Sequence, residues 1–187
     1  MPRISYVVGL LLILLLAPPT AADLLVSSFF HDEVLRYDSS TGAFLGAWVT
    51  ARSGGLDGPT GLSVGPDDNL YVASNNSGQV LRYRSSNGAS LGAFVTAGSG
   101  GLNSPQDLIF GPDGNLYVSS FRTNEVLRYD GSTGAFLSAF VTAGSGRLSG
   151  PWGLLTFRWV PEPSSLTLLG LGVLCLASCV HRRRASA

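Results

Sequence analysis

The fold is decided by the stretch LYVSSFRTNEVLRY, residues 116–129. Two β-type runs with alternating side chains flank the turn-forming residues Thr123 and Asn124, a pattern typical of a hairpin. The same pattern occurs at residues 70–83 as LYVASNNSGQVLRY and at residues 24–37 as LLVSSFFHDEVLRY. The chain therefore contains three units that repeat with a period of 46 residues.

Other landmarks keep the same interval, namely Gly42, Gly88 and Gly134, the aromatic residues Trp48, Phe94 and Phe140, and Pro59, Pro105 and Pro151. A period of 40–50 residues with short β-runs between turn residues is typical of a propeller blade. In the second unit we expect strands over residues 61–65, 70–74, 79–84 and 90–96. The prediction is an all-β fold of three four-stranded, propeller-type blades.

Two phrases carry a resemblance to a known class of propeller: FGPDGNLYV at residues 110–118 and SPQDL at residues 104–108. They resemble blades of NHL-type and gluconolactonase-like six-bladed propellers. The resemblance implies a scaffold for interactions. As an alternative function it implies a metal-dependent lactonase or esterase with a divalent metal in the central channel.

The number of units departs from that class, since three repeats are present where propellers typically have four to eight blades. Residues 153–157 match a first strand and are expected to complete the first blade. We expect one of two outcomes. Either two chains pair into a six-bladed ring, or the three blades form an open arc with exposed apolar ends.

The C-terminal stretch VPEPSSLTLLGLGVLCLASCVHRRRASA, residues 160–187, has a different character. Val160, Pro161, Glu162 and Pro163 form a stiff, extended motif. An uncharged run over residues 166–180 predicts a short transmembrane helix, and the basic tail of Arg182, Arg183 and Arg184 predicts a cytoplasmic end. An ordinary C-terminal membrane anchor has a similar layout.

This order of motif, helix and basic tail resembles the PEP-CTERM sorting signal of Gram-negative bacteria. The resemblance implies an exosortase-type processing enzyme as a partner, association with the membrane and delivery to the cell envelope or to an extracellular matrix. It also implies a biofilm exopolysaccharide as a partner.

The N-terminus predicts export as well. Arg3, an apolar run over residues 7–16 and small residues at 20–22 make up the three regions of a signal peptide, with cleavage expected after Ala22; an uncleaved N-terminal anchor is the alternative. The expected organisation is a signal peptide at 1–22, propeller repeats at 23–157 and a sorting signal at 158–187.

Composition narrows the function. The chain has no lysine, and residues 23–159 carry eight arginines against eleven acidic residues, so nucleic acid is not an expected partner. Both cysteines, Cys175 and Cys179, lie in the C-terminal apolar run, where packing and lipidation are the two interpretations. The repeat region is therefore expected to be stabilised without a disulfide.

The residues predict no catalytic, cofactor-binding or metal site. Most aspartates fall in turns, including Asp38, Asp67, Asp68, Asp113 and Asp130. Asp107, near Asn103, is the exception, but its equivalents are Gly61 and Gly153, so a second ligand is lacking. His31 is interpreted as a solvated loop residue, since Asp32 and Glu33 beside it point elsewhere. Any ligand is expected at the variable loops 29–33, 75–79 and 121–125. The predicted function is a non-enzymatic, exported scaffold.

Overall fold

The repeat pattern becomes three antiparallel sheets in the computed structural model, which describes residues 23–153 and 156–157. Blade 1 consists of β1 (Asp23–Ser28), β2 (Glu33–Asp38) and β3 (Phe44–Val49). Blade 2 consists of β4 (Pro59–Val64), β5 (Leu70–Ser74), β6 (Gln79–Tyr83) and β7 (Ser90–Val95). Blade 3 consists of β8 (Pro105–Phe110), β9 (Leu116–Ser120), β10 (Glu125–Tyr129) and β11 (Phe136–Val141).

Each blade is a simple meander, because every strand pairs with the next one in the chain. Short 3₁₀ turns follow the last strand of each blade at Ser53–Gly55, Ser99–Gly101 and Ser145–Arg147. The prediction of an all-β chain of propeller-type blades is confirmed, and the four strands expected in the second unit end within two residues of the observed ones.

The strand count differs from the prediction in blade 1, where the described residues form three strands. The fourth strand was expected over 153–157, and residues 154–155 lie outside the described part of the chain. Residues 1–22 and 158–187 also lie outside it, and with them the predicted signal peptide, sorting motif, transmembrane helix and basic tail. In the described residues no helix is long and apolar enough to cross a membrane.

The core consists of the two interfaces between consecutive blades. The interface of blades 1 and 2 is formed by Val34, Val49, Leu56, Leu70, Val72, Leu81 and Tyr83. The interface of blades 2 and 3 contains the residue 46 positions later in every case: Val80, Val95, Leu102, Leu116, Val118, Leu127 and Tyr129. These seven positions thus have the same residue types in both interfaces, and the interface of blades 2 and 3 also buries Tyr71, Ala73 and Leu108.

Each blade consequently has two unlike faces. We call the face that looks back along the chain the head face; in blade 2 it consists of Leu70, Val72, Leu81 and Tyr83. We call the opposite face the tail face; in blade 1 it consists of Val34, Val49 and the following Leu56. In blade 2 both faces are covered, so Val80 is as fully buried as Leu81 although the two side chains point to opposite sides.

Polar contacts fix the register of these interfaces. The Tyr83 hydroxyl donates a hydrogen bond to the Ser53 carbonyl (2.7 Å), and Tyr129 donates the equivalent bond to Ser99 (2.8 Å). Burial raises the pKa of both tyrosine hydroxyls. Between blades 2 and 3, the Thr60 hydroxyl in β4 also donates to the Pro105 carbonyl in β8 (3.1 Å). This hydrogen bond links the first strands of the two blades.

Candidate functional site: an aromatic groove at one end of the blades

A groove of about 680 Å³ opens at the end of the blades where the second and third strands of each unit are connected. All three blades contribute to it. Its lining residues are Phe29, Phe30, Thr60, Gly61, Asn75, Ser104, Gln106, Asp107, Phe121, Arg122, Trp152 and Gly153.

The groove is built from equivalent positions of the repeat. One set is the first residue after the second strand of each unit: Phe29, Asn75 and Phe121. Two further sets are the second and third residues of β4 and β8 with their equivalents after blade 3: Thr60, Gln106 and Trp152, then Gly61, Asp107 and Gly153. The scaffold positions are the same in every unit while the side chains differ, which is how a repeat protein creates a specific surface.

Aromatic side chains form the apolar part of the groove. Phe29 and Phe30 make an edge-to-face pair with ring centroids 5.2 Å apart, and Phe121 and Trp152 make a second such pair, also at 5.2 Å. Phe30 is 90% exposed and Trp152 is 70% exposed. Large aromatic faces this accessible to solvent mark a surface for binding.

Two of these rings pack closely against glycines. A Cβ atom at Gly58 would lie 2.9 Å from Cε2 of Phe29, and one at Gly150 would lie 3.0 Å from Cε2 of Phe121. Both glycines have positive φ, near +60°, a conformation that side chains disfavour. Glycine therefore lets the loop backbone pass close beneath each ring.

Polar groups occupy the part of the groove formed by the first strands. Gln106 is buried, and the Asp107 carboxylate accepts a hydrogen bond from the Leu108 N–H (2.9 Å). The Asn75 amide donates to the Pro105 carbonyl (3.2 Å), and the Arg122 guanidinium donates to the Ser104 hydroxyl (3.0 Å). The groove therefore combines exposed aromatic faces with amide, carboxylate and guanidinium groups, which suits a ligand with both apolar and hydroxyl-rich surface.

Asp107, the aspartate that the sequence analysis set apart from those in turns, lies in the groove. The equivalent positions of the other units are Gly61 and Gly153. Among the groove-lining residues that the structure describes, Asp107 has the one carboxylate. Within the described residues no group of three metal-ligating side chains comes together.

His31 lies in the 3₁₀ turn Phe29–His31 and is exposed, with its Nδ1 atom 3.2 Å from the Ser28 hydroxyl. The neighbouring Asp32 carboxylate has other partners. It accepts hydrogen bonds from the Gly58 N–H (2.9 Å) and from the Arg52 guanidinium (3.2 Å), and these lower its pKa. The Asp32 carboxylate is therefore part of the packing between the loops.

Several other aspartates close turns, as the sequence indicated. Asp38 and Asp130 each accept three hydrogen bonds from the residues two and three positions later in the turn. The side chains of Thr41 and Thr133 contribute most to lowering the pKa of these carboxyls. Burial opposes ionisation of Asp67, yet hydrogen bonds led by Asn69 hold its pKa below the ordinary value.

One repeated cluster was not anticipated from the sequence. An arginine of the third strand lies over an aromatic ring of the fourth, with the guanidinium carbon 5.1–5.7 Å from the ring centroid, in the pairs Arg36–Trp48, Arg82–Phe94 and Arg128–Phe140. Asp67 and Asp113 approach the second and third arginines at 3.5 Å and 3.9 Å. In these stacks the arginine side chains are 33–34% exposed, while the Nε atoms of Arg82 and Arg128 are buried.

Comparison with known proteins supports both halves of the sequence-based interpretation. Residues 160–184 match the PEP-CTERM protein-sorting motif. The match implies that the protein is exported, that its C-terminal segment associates with a membrane and that an exosortase processes it. No curated protein matches the chain significantly.

Solved structures confirm the fold. A catalytically inactive virginiamycin B lyase from Staphylococcus aureus, crystallised with quinupristin, is similar with a TM-score of 0.50 at 14% identity, over 63% of this chain and 37% of that one. Kuenenia stuttgartiensis hydrazine synthase is similar with a TM-score of 0.52 at 22% identity, over 64% and 32%. The chain thus spans about a third of the length of these proteins, and the likeness is to the propeller fold alone. Assignment to the NHL type stays a prediction.

Proposed function

We propose that this protein is an exported, non-enzymatic component of the cell envelope or extracellular matrix, and that its propeller blades bind exopolysaccharide through the aromatic groove. The proposal takes residues 1–22 as a cleaved signal peptide and residues 158–187 as the sorting segment, with the blades between them as the exported region. The PEP-CTERM match at residues 160–184 carries the export part of the proposal.

Each part of the sorting segment has a physical role in this proposal. Val160, Pro161, Glu162 and Pro163 form the extended motif that the processing enzyme reads. The uncharged run 166–180 enters the membrane, and Arg182, Arg183 and Arg184 hold the end of the chain on the cytoplasmic side. The blades are then on the outer side of the membrane until the segment is processed.

The groove supports a carbohydrate ligand because of its chemistry. A sugar ring offers a C–H face that packs on Phe30 or Trp152, and hydroxyls at its rim that pair with Asn75, Gln106 and Asp107. With aromatic pairs contributed by blade 1 and by blade 3, a polymer chain has a contact at each side.

Export is tested by the mass and location of the mature protein in its host, with and without the exosortase-type enzyme. Loss of the residues beyond the Pro161-Glu162-Pro163 motif only when the enzyme is present supports the proposal. An intact C-terminus in both strains would make the segment an ordinary membrane anchor.

Polysaccharide binding is tested by co-sedimentation of the full chain, in detergent micelles, with exopolysaccharide purified from the host. We expect Trp152→Ala and Phe30→Ala each to weaken binding about tenfold, the worth of one well-stacked aromatic ring. Phe44→Ala removes a ring that is 63% exposed and lies outside the groove; it is the matched control and should bind as the parent does. Cleavage of the polymer or of small lactones, dependent on calcium, would instead support the lactonase alternative.

A further inference from the structure

Two blade faces that match the internal interfaces have no neighbouring blade among the described residues, and we call them the open faces. The head face of blade 1 consists of Leu24, Val26, Leu35 and Tyr37, and the tail face of blade 3 consists of Val126, Val141 and Leu148. Val126, in the second of them, is nevertheless only 8% exposed. We propose that a second copy of this chain covers them, with the tail of each copy against the head of the other, in a two-chain ring of six blades.

The apolar surfaces fit because they continue an interface that the molecule already makes twice. Counting in steps of 46 residues, the open head face has Leu, Val, Leu and Tyr, as the covered head faces of blades 2 and 3 have. The open tail face has Val, Val and Leu, as the covered tail faces of blades 1 and 2 have. Within the chain, a tail face of Val, Val and Leu thus already packs twice on a head face of Leu, Val, Leu and Tyr.

The hydrogen bond that fixes the register is available too. Tyr83 and Tyr129 donate their hydroxyls to the carbonyls of Ser53 and Ser99 across the internal interfaces. The remaining member of the tyrosine series is Tyr37 on the open head face, and the remaining member of the serine series is Ser145 beside the open tail face. In the ring, the Tyr37 hydroxyl of one copy donates to the Ser145 carbonyl of the other.

The glycines that allow close approach of a neighbouring blade are also repeated. A Cβ atom at Gly100 would overlap the Phe136 ring, and one at Gly134 would overlap the Phe94 carbonyl, so both glycines leave room for the neighbouring blade. Their equivalents Gly146 and Gly42 have the same positive φ, yet in the described structure an added Cβ would meet nothing within 4 Å. In the ring, Gly146 receives the ring of Phe44 and Gly42 receives the carbonyl of Phe140.

One position differs from the internal interfaces, since Arg147 stands where the earlier units have Gly55 and Gly101. A Cβ atom at either glycine would have no neighbour within 4 Å in the described structure. The Cβ atom of Arg147 is therefore compatible with a covered tail face.

Ring closure follows from the number of blades. Propellers close with four to eight blades, and two copies of a three-blade unit give six. Both new interfaces are then identical by two-fold symmetry, so every head and tail face is covered and growth stops at two copies.

The test is photo-crosslinking of the full chain in host membranes, using equal amounts of isotopically light and heavy chains. The photoreactive residue p-benzoylphenylalanine is placed at position 44, where the natural side chain is 63% exposed. We therefore expect this substitution to leave the fold intact. The matched control carries it at position 136, which should react with residues 99–101 of the same chain because the Phe136 ring lies against Gly100.

We expect the probe at position 44 to join light chains to heavy chains, with the attachment mapped by mass spectrometry to residues 145–147. Attachment within one chain, or between chains at other residues, would overturn the proposal. So would the absence of a light–heavy product while the control at position 136 reacts. Each of these results is separate from export and polysaccharide binding, which do not require the ring.

Discussion

Blades 1 and 2 have the same residues on their head faces but bury them to different extents. Leu70 is 3% exposed and Val72 is fully buried, whereas their equivalents Leu24 and Val26 are 53% and 40% exposed. The sequence of the strands is not the cause, because the residue types are identical. In a repeat protein, burial depends on whether a neighbouring blade is present, so the same substitution should have different costs in the two blades.

The largest expected difference is between Val72→Asp and Val26→Asp. A carboxylate at position 72 would be buried without a partner, which we expect to lower the free energy of unfolding by about 3–5 kcal/mol. At position 26 the carboxylate reaches water, and the cost should be below about 1 kcal/mol. Urea denaturation of dilute full chain in micelles, followed by tryptophan fluorescence, measures both. Equal losses would show that the two head faces are not distinguished by burial.

The next difference isolates a backbone contact. Gly42, Gly88 and Gly134 share a φ near +70°, so alanine strains each by about 1 kcal/mol. At Gly88 the added Cβ would in addition overlap the Trp48 carbonyl of blade 1, for which we expect a further 1–3 kcal/mol. In the dilute, unpaired chain, Gly88→Ala should therefore lower the urea midpoint much more than Gly42→Ala. If the two variants unfold together, the close approach of blades 1 and 2 is wrong.

A smaller difference concerns the tyrosine hydroxyls. Tyr83→Phe removes a buried hydrogen bond to Ser53, which should cost about 1 kcal/mol. Tyr37→Phe should leave the unfolding of a single chain unchanged and weaken association of two chains up to tenfold. Denaturation and chain association are measured separately on both variants. A stability loss for Tyr37→Phe equal to that for Tyr83→Phe would mean that Tyr37 already donates within its own chain.

The smallest expected effect is on acid sensitivity. Hydrogen bonds, chiefly from Thr41 and Thr133, lower the pKa of Asp38 and Asp130, so their stabilisation is complete above the unfolded-state value of about 4 and is lost as the pH falls through the folded-state value. Blade 2 has Arg84 at this position. Asp38→Asn should therefore lower stability at pH 7 and flatten its decline below pH 4, whereas Arg84→Gln should leave the pH profile unchanged. Urea midpoints from pH 7 to pH 3 measure this.

Much of the fold could be predicted from the sequence because its signals are local. Alternation in LYVASNNSGQVLRY, residues 70–83, predicts two paired strands, and an aspartate such as Asp67 predicts a turn closed by its own side chain. The period of 46 then predicts three equivalent blades. What the sequence could not show was that Val80 and Leu81 are buried on opposite faces, since that depends on the blades on either side.

The groove was predictable only in part. The variable loops, where any ligand was expected, contribute Phe29, Phe30, Asn75, Phe121 and Arg122 to the lining. Trp152 and Gln106 were missed, because they belong to other parts of the repeat and meet the loops only after the blades stack. Comparing positions 60, 106 and 152 between units would have revealed that these side chains vary at one structural place.

The most direct test of the account is the number of chains in the particle, measured by native mass spectrometry of the full chain released from detergent micelles. Two chains are predicted for the parent protein and one chain for Val26→Asp, with Phe30→Ala in the groove remaining a pair. A single chain in the parent would contradict the claim that the open head and tail faces are covered as their internal copies are.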